Sequence, residues 1–259
     1  MTVDVQTAGP GKSQGRLYLV GVGPGDPELM TFKAAQVLRN APVWIAPKAR
    51  ENGNSLALQI ARNQVEVNGK DVLELCFPMK KIRLNEKQDP EVVWGWKQAA
   101  DIVLAHLDRG LDVAFPTLGD PALYSTAFYL LNTLQESRPR IQVSIVPGIT
   151  AMSACSAHAC SPLGLGDDVV SIIPAAFDDE RLREILTTFD AVVLMKVHRR
   201  MAKVIALLDE LGLTDKAVLI ERCGLEGQKI YTDIRQARDR DLHYFSTLLV
   251  RKKSLAGLS

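Results

Sequence analysis

The chain has 259 residues, of which 47% are apolar and 24% are charged. This composition is typical of a globular protein and excludes disorder as the main state, because so much apolar surface can offset the entropy lost on folding. Lysine and arginine number 31 and aspartate and glutamate 30, so the formal net charge is only +1. Proteins that coat nucleic acid normally carry a basic excess, and we therefore expect no nucleic-acid partner.

The four cysteines are widely separated and form no C-x-x-C pair. They indicate neither a disulfide scaffold nor a structural zinc site, so we expect reduced thiols, no bound metal and a cytoplasmic location. No apolar run approaches the roughly 20 residues that a membrane-spanning helix needs, and we expect no membrane partner. Residues 1–16 are polar and lack the apolar core of a signal peptide, which favours a flexible N-terminal tail.

Short apolar runs alternate with amphipathic segments through the first half of the chain. The predicted strands are 17–20, 43–46, 72–75, 112–115 and 141–146, and the predicted helices are 28–39, 55–62, 92–107, 122–134 and 149–159. This alternation with short links predicts β-α-β units and a mostly parallel sheet. The stretch Ser161–Gly166 interrupts the pattern with proline and glycine, so we predict an N-terminal α/β domain over 17–160.

The second predicted α/β domain covers residues 161–259 and ends differently from the first. Its predicted strands are 169–173, 191–195, 217–221, 229–232 and 244–250, and its predicted helices are 179–186 and 200–211. Little helix separates the strands predicted at 217–221 and 229–232, which favours a mixed sheet over a wholly parallel one.

Three glycine-containing turns each follow a predicted strand and precede a predicted helix. They are Gly21–Pro27, Thr117–Pro121 and Val146–Ala151. Because the carboxyl ends of parallel strands lie at one edge of a sheet, we expect these turns to converge on one crevice, where open α/β sheets bind ligands. Glycine lets a ligand approach the backbone closely, so that N–H and C=O groups make the contacts. One such turn alone is compatible with an ordinary connection, but three together predict a ligand site.

The first turn differs from a dinucleotide-binding fingerprint. The sixth position of its G-x-G-x-x-G pattern is Asp26, and Pro24 removes a backbone donor where pyrophosphate would need one. The next predicted strand ends without an acidic residue, and a Walker A lysine is missing. Phosphate is therefore a poor ligand for these turns, whereas the carboxylates of Asp26 and Asp120 favour a ligand with positive charge or hydroxyl donors.

The segment Tyr18–Thr31 closely resembles the opening motif of the tetrapyrrole (corrin/porphyrin) methyltransferases. Gly119-Asp120-Pro121 and Val146–Ala151 resemble the second and third motifs of that family, in the same order, and the resemblance extends from about Leu17 to Lys252. Within the family the chain is most similar to the precorrin-2 and cobalt-factor-II C(20)-methyltransferases of cobalamin biosynthesis. The segments behind this finer resemblance are Pro116–Thr126, Glu221-Arg222-Cys223-Gly224 and Tyr244-Phe245-Ser246.

The resemblance implies a two-domain α/β fold, a homodimer, and S-adenosyl-methionine bound in a cleft between the domains. Carried over by position, it implies cofactor contacts from Pro24, Leu118, Gly119, Asp120, Leu123, Thr150, Ala151, Met195, Cys223 and Gly224. Cys223 stands where many relatives have glycine, a change that a main-chain contact would survive. The implied reaction transfers the sulfonium methyl group to carbon 20 of the macrocycle, and no residue is identified as a catalytic base.

Cations near the predicted crevice are candidates for binding the substrate, because the implied tetrapyrrole carries many carboxylates. They are Lys48 and Arg50, after the second predicted strand, and Lys80, Lys81 and Arg83, in a basic stretch between Pro78 and Pro90. The alternative interpretation of the basic stretch is an ordinary solvated loop.

Other functions remain open at this point. The same fold acts on other tetrapyrrole positions, and relatives that modify ribosomal RNA or a protein histidine have similar turns, although the near-zero net charge disfavours RNA. A non-catalytic tetrapyrrole carrier is a further alternative, but it would have no use for intact cofactor motifs. The sequence also leaves open whether the natural substrate contains cobalt.

Overall fold

A computed structural model describes residues 14–77, 88–174 and 179–253 of the chain. These residues form two compact units. The first contains the chain up to Gly23 and the segment Pro27–Ile149, and the second contains Pro24–Asp26 and the chain from Thr150 onward. No helix in the described ranges is both long enough and apolar enough to cross a membrane.

The sheet of the first unit has five strands, all parallel, in the order β3-β2-β4-β1-β5. The strands are β1 (Leu17–Gly21), β2 (Val43–Lys48), β3 (Asp71–Cys76), β4 (Val113–Thr117) and β5 (Val143–Val146). The α-helices are α1 (Phe32–Asn40), α2 (Leu56–Gln64), α3 (Pro90–Asp108) and α4 (Ala127–Ser137). The predicted mostly parallel sheet is therefore confirmed. Strand β1 lies between β4 and β5, which places the strand ends that lead into the three glycine turns side by side.

Alternate residues of β1 enter two different hydrophobic clusters, as the two-residue period of a strand requires. Leu17 and Leu19 pack with residues of α3 and α4, whereas Val20 packs with residues of α1 and α2. Helices therefore cover both faces of the sheet, which explains why its strands appear in the sequence as continuous apolar runs.

The second unit contains a mixed five-stranded sheet in the order β6-β7-β10-β8-β9. Its strands are β6 (Val170–Pro174), β7 (Ala191–Met195), β8 (Ala217–Glu221), β9 (Lys229–Tyr231) and β10 (Ser246–Arg251), and its α-helices are α5 (Ala151–His158), α6 (Asp179–Thr188) and α7 (Met201–Glu210). Strand β10 is antiparallel to both β7 and β8, so the predicted mixed sheet is confirmed. The same pairing places the ends of β7 and β8 and the start of β10 at one edge.

Helix α5 groups with the second unit, whereas the sequence predicts a boundary after residue 160. The helix packs on β10, and its Cys155 is buried beside Cys223 and Thr247. Small residues at 149–159 predict a helix, but they carry no information about which sheet that helix covers. The end of the predicted tail also differs, because the N–H of Gly15 donates to Leu107 O (3.0 Å) and that of Arg16 to Asp112 (2.8 Å).

Two local differences from the predicted elements have physical causes. The helix predicted at 28–39 begins at Phe32, because the Thr31 side chain caps it by accepting the N–H of Ala34 at 3.1 Å. Strand β2 continues through Pro47 instead of ending before it. Its pairing with β4 stops at Trp44, so β2 has the character of an edge strand at Pro47, where proline is tolerated.

Candidate functional site

The first and second glycine turns are joined directly by backbone hydrogen bonds within the first unit. The N–H of Gly119 donates to Gly23 O at 2.7 Å, and the N–H of Gly23 donates to Gly119 O at 3.3 Å. Gly23 has φ +84° and Gly119 has φ +71°, which lie in the left-handed region that favours glycine.

The third turn meets the other two through Gly148. A Cβ atom at Gly148 would lie 2.2 Å from Gly119 O, and one at Gly21 would lie 2.7 Å from Gly148 N. The backbones approach too closely for any side chain, so glycine is required for the turns to pack together. The predicted convergence is therefore confirmed for the parts of the three turns that belong to the first unit.

The Asp120 side chain connects the second turn to the third. Its Oδ2 accepts the N–H of Gly148 at 2.8 Å, and its Oδ1 accepts the N–H of Ala122 at 2.7 Å. The sequence predicts a ligand contact for this carboxylate, and that contact stays a prediction. In the structure both of its oxygens hold backbone N–H groups, and Asp120 therefore positions the turns.

The remaining candidates of the first unit lie close to this junction. Leu118 is half-buried against the α1–α2 side of the core, and Leu123 donates its N–H to Asp120 O at 3.3 Å. Tyr124 follows with φ +51° and a half-exposed ring, and its partial burial raises the pKa of its phenol. Leu118 and Leu123 thus flank Gly119 and Asp120 in a short irregular loop.

In the second unit, Pro24-Gly25-Asp26 packs against Cys223-Gly224. A Cβ atom at Gly25 would lie 2.8 Å from Cys223 O, and one at Gly224 would lie 2.9 Å from Asp26 N. Gly224 has φ +70°, which again favours glycine. The structure therefore brings the segment that contains Pro24 next to Cys223 and Gly224, two candidates that lie far from Pro24 in the sequence.

The Gly224 turn is held by a glutamine that the sequence analysis missed. Gln228 Oε1 accepts the N–H of Gly224 at 2.7 Å, and Gln228 Nε2 lies 3.1 Å from His158 Nδ1. No spacing or motif marks Gln228, because its importance comes only from the backbone group that it reaches.

Three further candidates of the second unit lie at the ends of elements. Thr150 caps α5, since its Oγ1 accepts the N–H of Ser153 at 3.3 Å, and Ala151 is the first residue of that helix. Met195 is the half-buried last residue of β7. Cys223 is buried, and its thiol forms a hydrogen bond with the thiol of Cys155. This hydrogen bond, together with burial, raises the pKa of Cys155.

Residues 16–237 match the model of the family "Tetrapyrrole (Corrin/Porphyrin) Methylases". The chain belongs to this family. The methylase is 34% identical over 242 residues to the cobalt-precorrin-2 C(20)-methyltransferase of Salmonella typhimurium, an alignment that covers 92% of this chain and 97% of the relative. It is 36% identical over 248 residues to the precorrin-2 C(20)-methyltransferase of a Sinorhizobium species, with coverage of 93% and 96%.

Solved structures have the same fold as this methylase. A cobalt precorrin-4 methyltransferase of cobalamin biosynthesis aligns with a TM-score of 0.67 and 22% identity, over 91% of this chain and 94% of its own. A uroporphyrin-III C-methyltransferase from Thermus thermophilus, complexed with S-adenosyl-homocysteine, aligns with a TM-score of 0.62 and 19% identity, over 92% of each chain.

The substrate contacts of the five cations stay predictions, and the structure describes two of these residues. Lys48 ends β2, and its Nζ donates to Glu51 O at 2.6 Å, while Arg50 is exposed in the following turn. Lys80, Lys81 and Arg83 lie outside the described residues. Within the part of the chain that the structure describes, no group of three or more His, Cys, Asp or Glu side chains is arranged to hold a metal ion.

Proposed function

We propose that this methylase transfers a methyl group from S-adenosyl-methionine to carbon 20 of a precorrin-2-type tetrapyrrole in cobalamin biosynthesis. The observation that carries the proposal is the similarity to two relatives named for that carbon, at 34% and 36% identity over more than nine tenths of each chain. One of these names specifies cobalt and the other does not. Precorrin-2 and its cobalt-containing counterpart are therefore both candidate substrates.

The chemistry of the two glycine-lined regions suits this cofactor. S-adenosyl-methionine carries a sulfonium cation, an ammonium group and ribose hydroxyls, all of which pair well with carbonyl and carboxylate oxygens. Gly119 and Gly224 carry no side chain and have left-handed φ angles, so a ligand can approach the backbone of both turns closely. We therefore retain as proposed cofactor contacts Pro24, Leu118, Gly119, Asp120, Leu123, Thr150, Ala151, Met195, Cys223 and Gly224.

Two proposed contacts have a structural role that fits cofactor binding. Asp120 fixes the spacing of the second and third turns, and Thr150 fixes the first turn of α5. Both residues use side-chain oxygens on backbone N–H groups, so their first effect is to position backbone. We propose that they act on the cofactor mainly through that positioning.

When bound, S-adenosyl-methionine supplies a methyl group on a sulfonium that needs no activation by the protein. The residues of the chain then mainly have to hold donor and acceptor carbon in line, and such alignment supplies roughly 7–11 kcal/mol. We name no general base, because no side chain at the turns has the base-and-orienter arrangement that would identify one. The half-buried Lys48 and the exposed Arg50, with Lys80, Lys81 and Arg83, remain proposed partners for the carboxylates of the tetrapyrrole.

We further propose a cytoplasmic homodimer without nucleic-acid partners, as the family resemblance and the near-zero net charge favour. Large exposed apolar side chains are compatible with burial in a dimer, notably Phe32 at 95% and Trp94 at 62% exposure. Sedimentation equilibrium of the purified chain measures the state of assembly directly, and a monomer at micromolar concentration would contradict the dimer.

The activity is tested with both substrates side by side. Calorimetry first measures the affinity for S-adenosyl-methionine, and a turnover assay then uses cofactor labelled with ¹³C in its methyl group. We expect a new methyl carbon attached to carbon 20, identified by nuclear magnetic resonance, from precorrin-2 or from its cobalt form. Transfer of the methyl group to another carbon would contradict the proposed position of methylation. Cofactor binding without methyl transfer to either compound would support a non-catalytic tetrapyrrole carrier instead.

A further inference from the structure

The edge of the second sheet next to Met195 carries two half-buried cations. Lys196 follows β7 and Arg222 follows β8. In the sheet register Thr247 of β10 pairs with Met195 on one side, and Ser246 pairs with Glu221 on the other. The two cations therefore flank the start of β10, and the N–H of Arg222 extends the ladder by donating to Phe245 O at 2.8 Å.

Both residues adopt a backbone conformation that disfavours them. Lys196 has φ +61° and Arg222 has φ +55°, and they are two of the four non-glycine residues with positive φ in the described ranges. Glycine or asparagine would adopt this left-handed conformation more easily, so long cationic side chains here carry a conformational cost. Strain of this kind, at strand ends on either side of β10, favours a functional role for the two side chains.

Lys196 lies against an aromatic ring, and Arg222 has a buried nitrogen without a partner. Lys196 Nζ lies 5.5 Å from the centre of the Tyr244 ring, and His198 packs edge-on against the same ring at 5.3 Å. Neither Lys196 nor Arg222 has a carboxylate within ion-pair distance among the residues that the structure describes. Arg222 Nε is buried without a hydrogen-bond partner in those same residues. An unpartnered buried donor of this kind normally has a ligand or water to bind.

The carboxylate of Glu221, at the same edge, already accepts hydrogen bonds from other groups. Glu221 is buried, its Oε1 accepts the N–H of His243 at 2.6 Å, and its Oε2 accepts from Tyr231. Burial, and then the Arg222 cation, lower the pKa of His243.

We propose that Lys196 and Arg222 form a binding site for a carboxylate group at the edge of the second sheet. The proposal rests on the proposed function, because both the tetrapyrrole and S-adenosyl-methionine carry carboxylates. Arginine forms paired hydrogen bonds with a carboxylate. The Tyr244 ring, whose centre lies 5.5 Å from Lys196 Nζ, stabilises the ammonium group of Lys196. Either carboxylate source would supply the negative charge that this edge lacks, and the following experiment separates them.

The test variants are Lys196→Asn and Arg222→Asn, because asparagine tolerates the left-handed backbone while removing the charge. Lys203→Asn is the control, because it also removes one positive charge but at an exposed position of α7. Lys196→Arg and Arg222→Lys retain the charge. The tetrapyrrole probe is uroporphyrin III, compared with its uncharged methyl ester, and the cofactor probe is S-adenosyl-methionine, compared with its decarboxylated form.

We expect each asparagine variant to bind one of the carboxylate-bearing probes about tenfold more weakly than wild type does. Its affinity for the matched probe that lacks the carboxylate should not change. Selective loss of uroporphyrin III binding assigns the site to the substrate, and selective loss of S-adenosyl-methionine binding assigns it to the cofactor. Lys203→Asn should change neither affinity. Lys196→Arg should retain most of the affinity, whereas Arg222→Lys keeps the charge but not the paired hydrogen bonds and should retain only part of it.

Two results would overturn the carboxylate site. One is an affinity within twofold of wild type for all four probes in both asparagine variants. The other is an equal loss for charged and uncharged probes, which would show that the residues only maintain the fold. A wild-type protein that binds neither uroporphyrin III nor S-adenosyl-methionine would overturn the proposed function itself, and this inference with it.

Discussion

The carboxylate of Asp120 accepts the backbone N–H of Gly148 at 2.8 Å and thereby connects two turns that are separated by helix α4 and strand β5. Its other oxygen accepts the N–H of Ala122 at 2.7 Å. A single side chain thus sets the distance between two segments that sequence comparison treats as independent motifs. We therefore expect substitutions at Asp120 to change the spacing of the two turns, and to affect the methyl-transfer step only through that spacing.

Asp120→Asn should weaken the binding of S-adenosyl-methionine. An amide has one acceptor oxygen where the carboxylate uses two, so one of the two backbone N–H groups loses its partner, at a cost of about 1–3 kcal/mol. Calorimetry measures this loss, and Asp101→Asn, at an exposed position of α3, is the control. Turnover at saturating cofactor and substrate should fall by less than about 100-fold. A collapse of three or more decades would instead make Asp120 a catalytic acid or base.

Gly25→Ala should destabilise the second unit. The new Cβ would lie 2.8 Å from Cys223 O and 2.9 Å from Gly224 O, both of them backbone atoms that cannot turn away. Such overpacking typically costs about 1–3 kcal/mol, and it should also weaken cofactor binding. Gly53→Ala is the matched substitution, because its nearest neighbour would lie at an ordinary 3.4 Å. Equal urea-unfolding midpoints for the two variants would contradict the close approach.

Thr150→Ala should lower the free energy of unfolding by about 0.5–2 kcal/mol, because it removes the N-cap of α5. Thr150→Ser keeps an oxygen that can accept the N–H of Ser153, and it should recover most of the stability. Urea unfolding of the three proteins measures the effect. If serine proved as destabilising as alanine, the methyl group of Thr150, rather than its cap, would be the stabilising element.

Protonation of Asp168 at acidic pH should lower the stability of the folded protein. Hydrogen bonds from Lys253 (3.0 Å), the N–H of Leu165 (3.0 Å) and Arg251 (2.8 Å) lower the pKa of Asp168 to about 2. The folded value is below the unfolded value of about 3.9, so the contribution is complete above that pH and is lost as the pH falls toward 2.

Asp168→Asn should therefore lower the melting temperature at pH 7 and flatten its dependence on pH between about 4 and 2. Asp167→Asn is the control, because the Asp167 side chain is 99% exposed and an exposed ion pair contributes little. Melting curves that remain parallel for wild type and Asp168→Asn through the acid range would show that Asp168 does not couple protonation to folding.

Much of the architecture could be predicted from local patterns. Continuous apolar runs mark the strands of a sheet covered on both faces, and glycine marks turns whose backbones touch, as at Gly21 and Gly148. The role of Asp120 and the partner sheet of α5 could not be predicted in this way. They depend on which groups the folded chain brings together, and Gln228, which holds Gly224, has no local signature at all.

The packing of Gly25 against Cys223 and Gly224 has a consequence for how the protein is made. These partners lie near opposite ends of the chain, so a ribosome releases Gly25 long before the residues that complete its surroundings. The first glycine motif cannot reach its final environment while only the N-terminal half has been synthesised. The packing of Gly25 against Cys223 and Gly224 therefore belongs to the slow, long-range steps of folding. A premature stop before Cys223 would thus damage a site whose opening motif was fully translated.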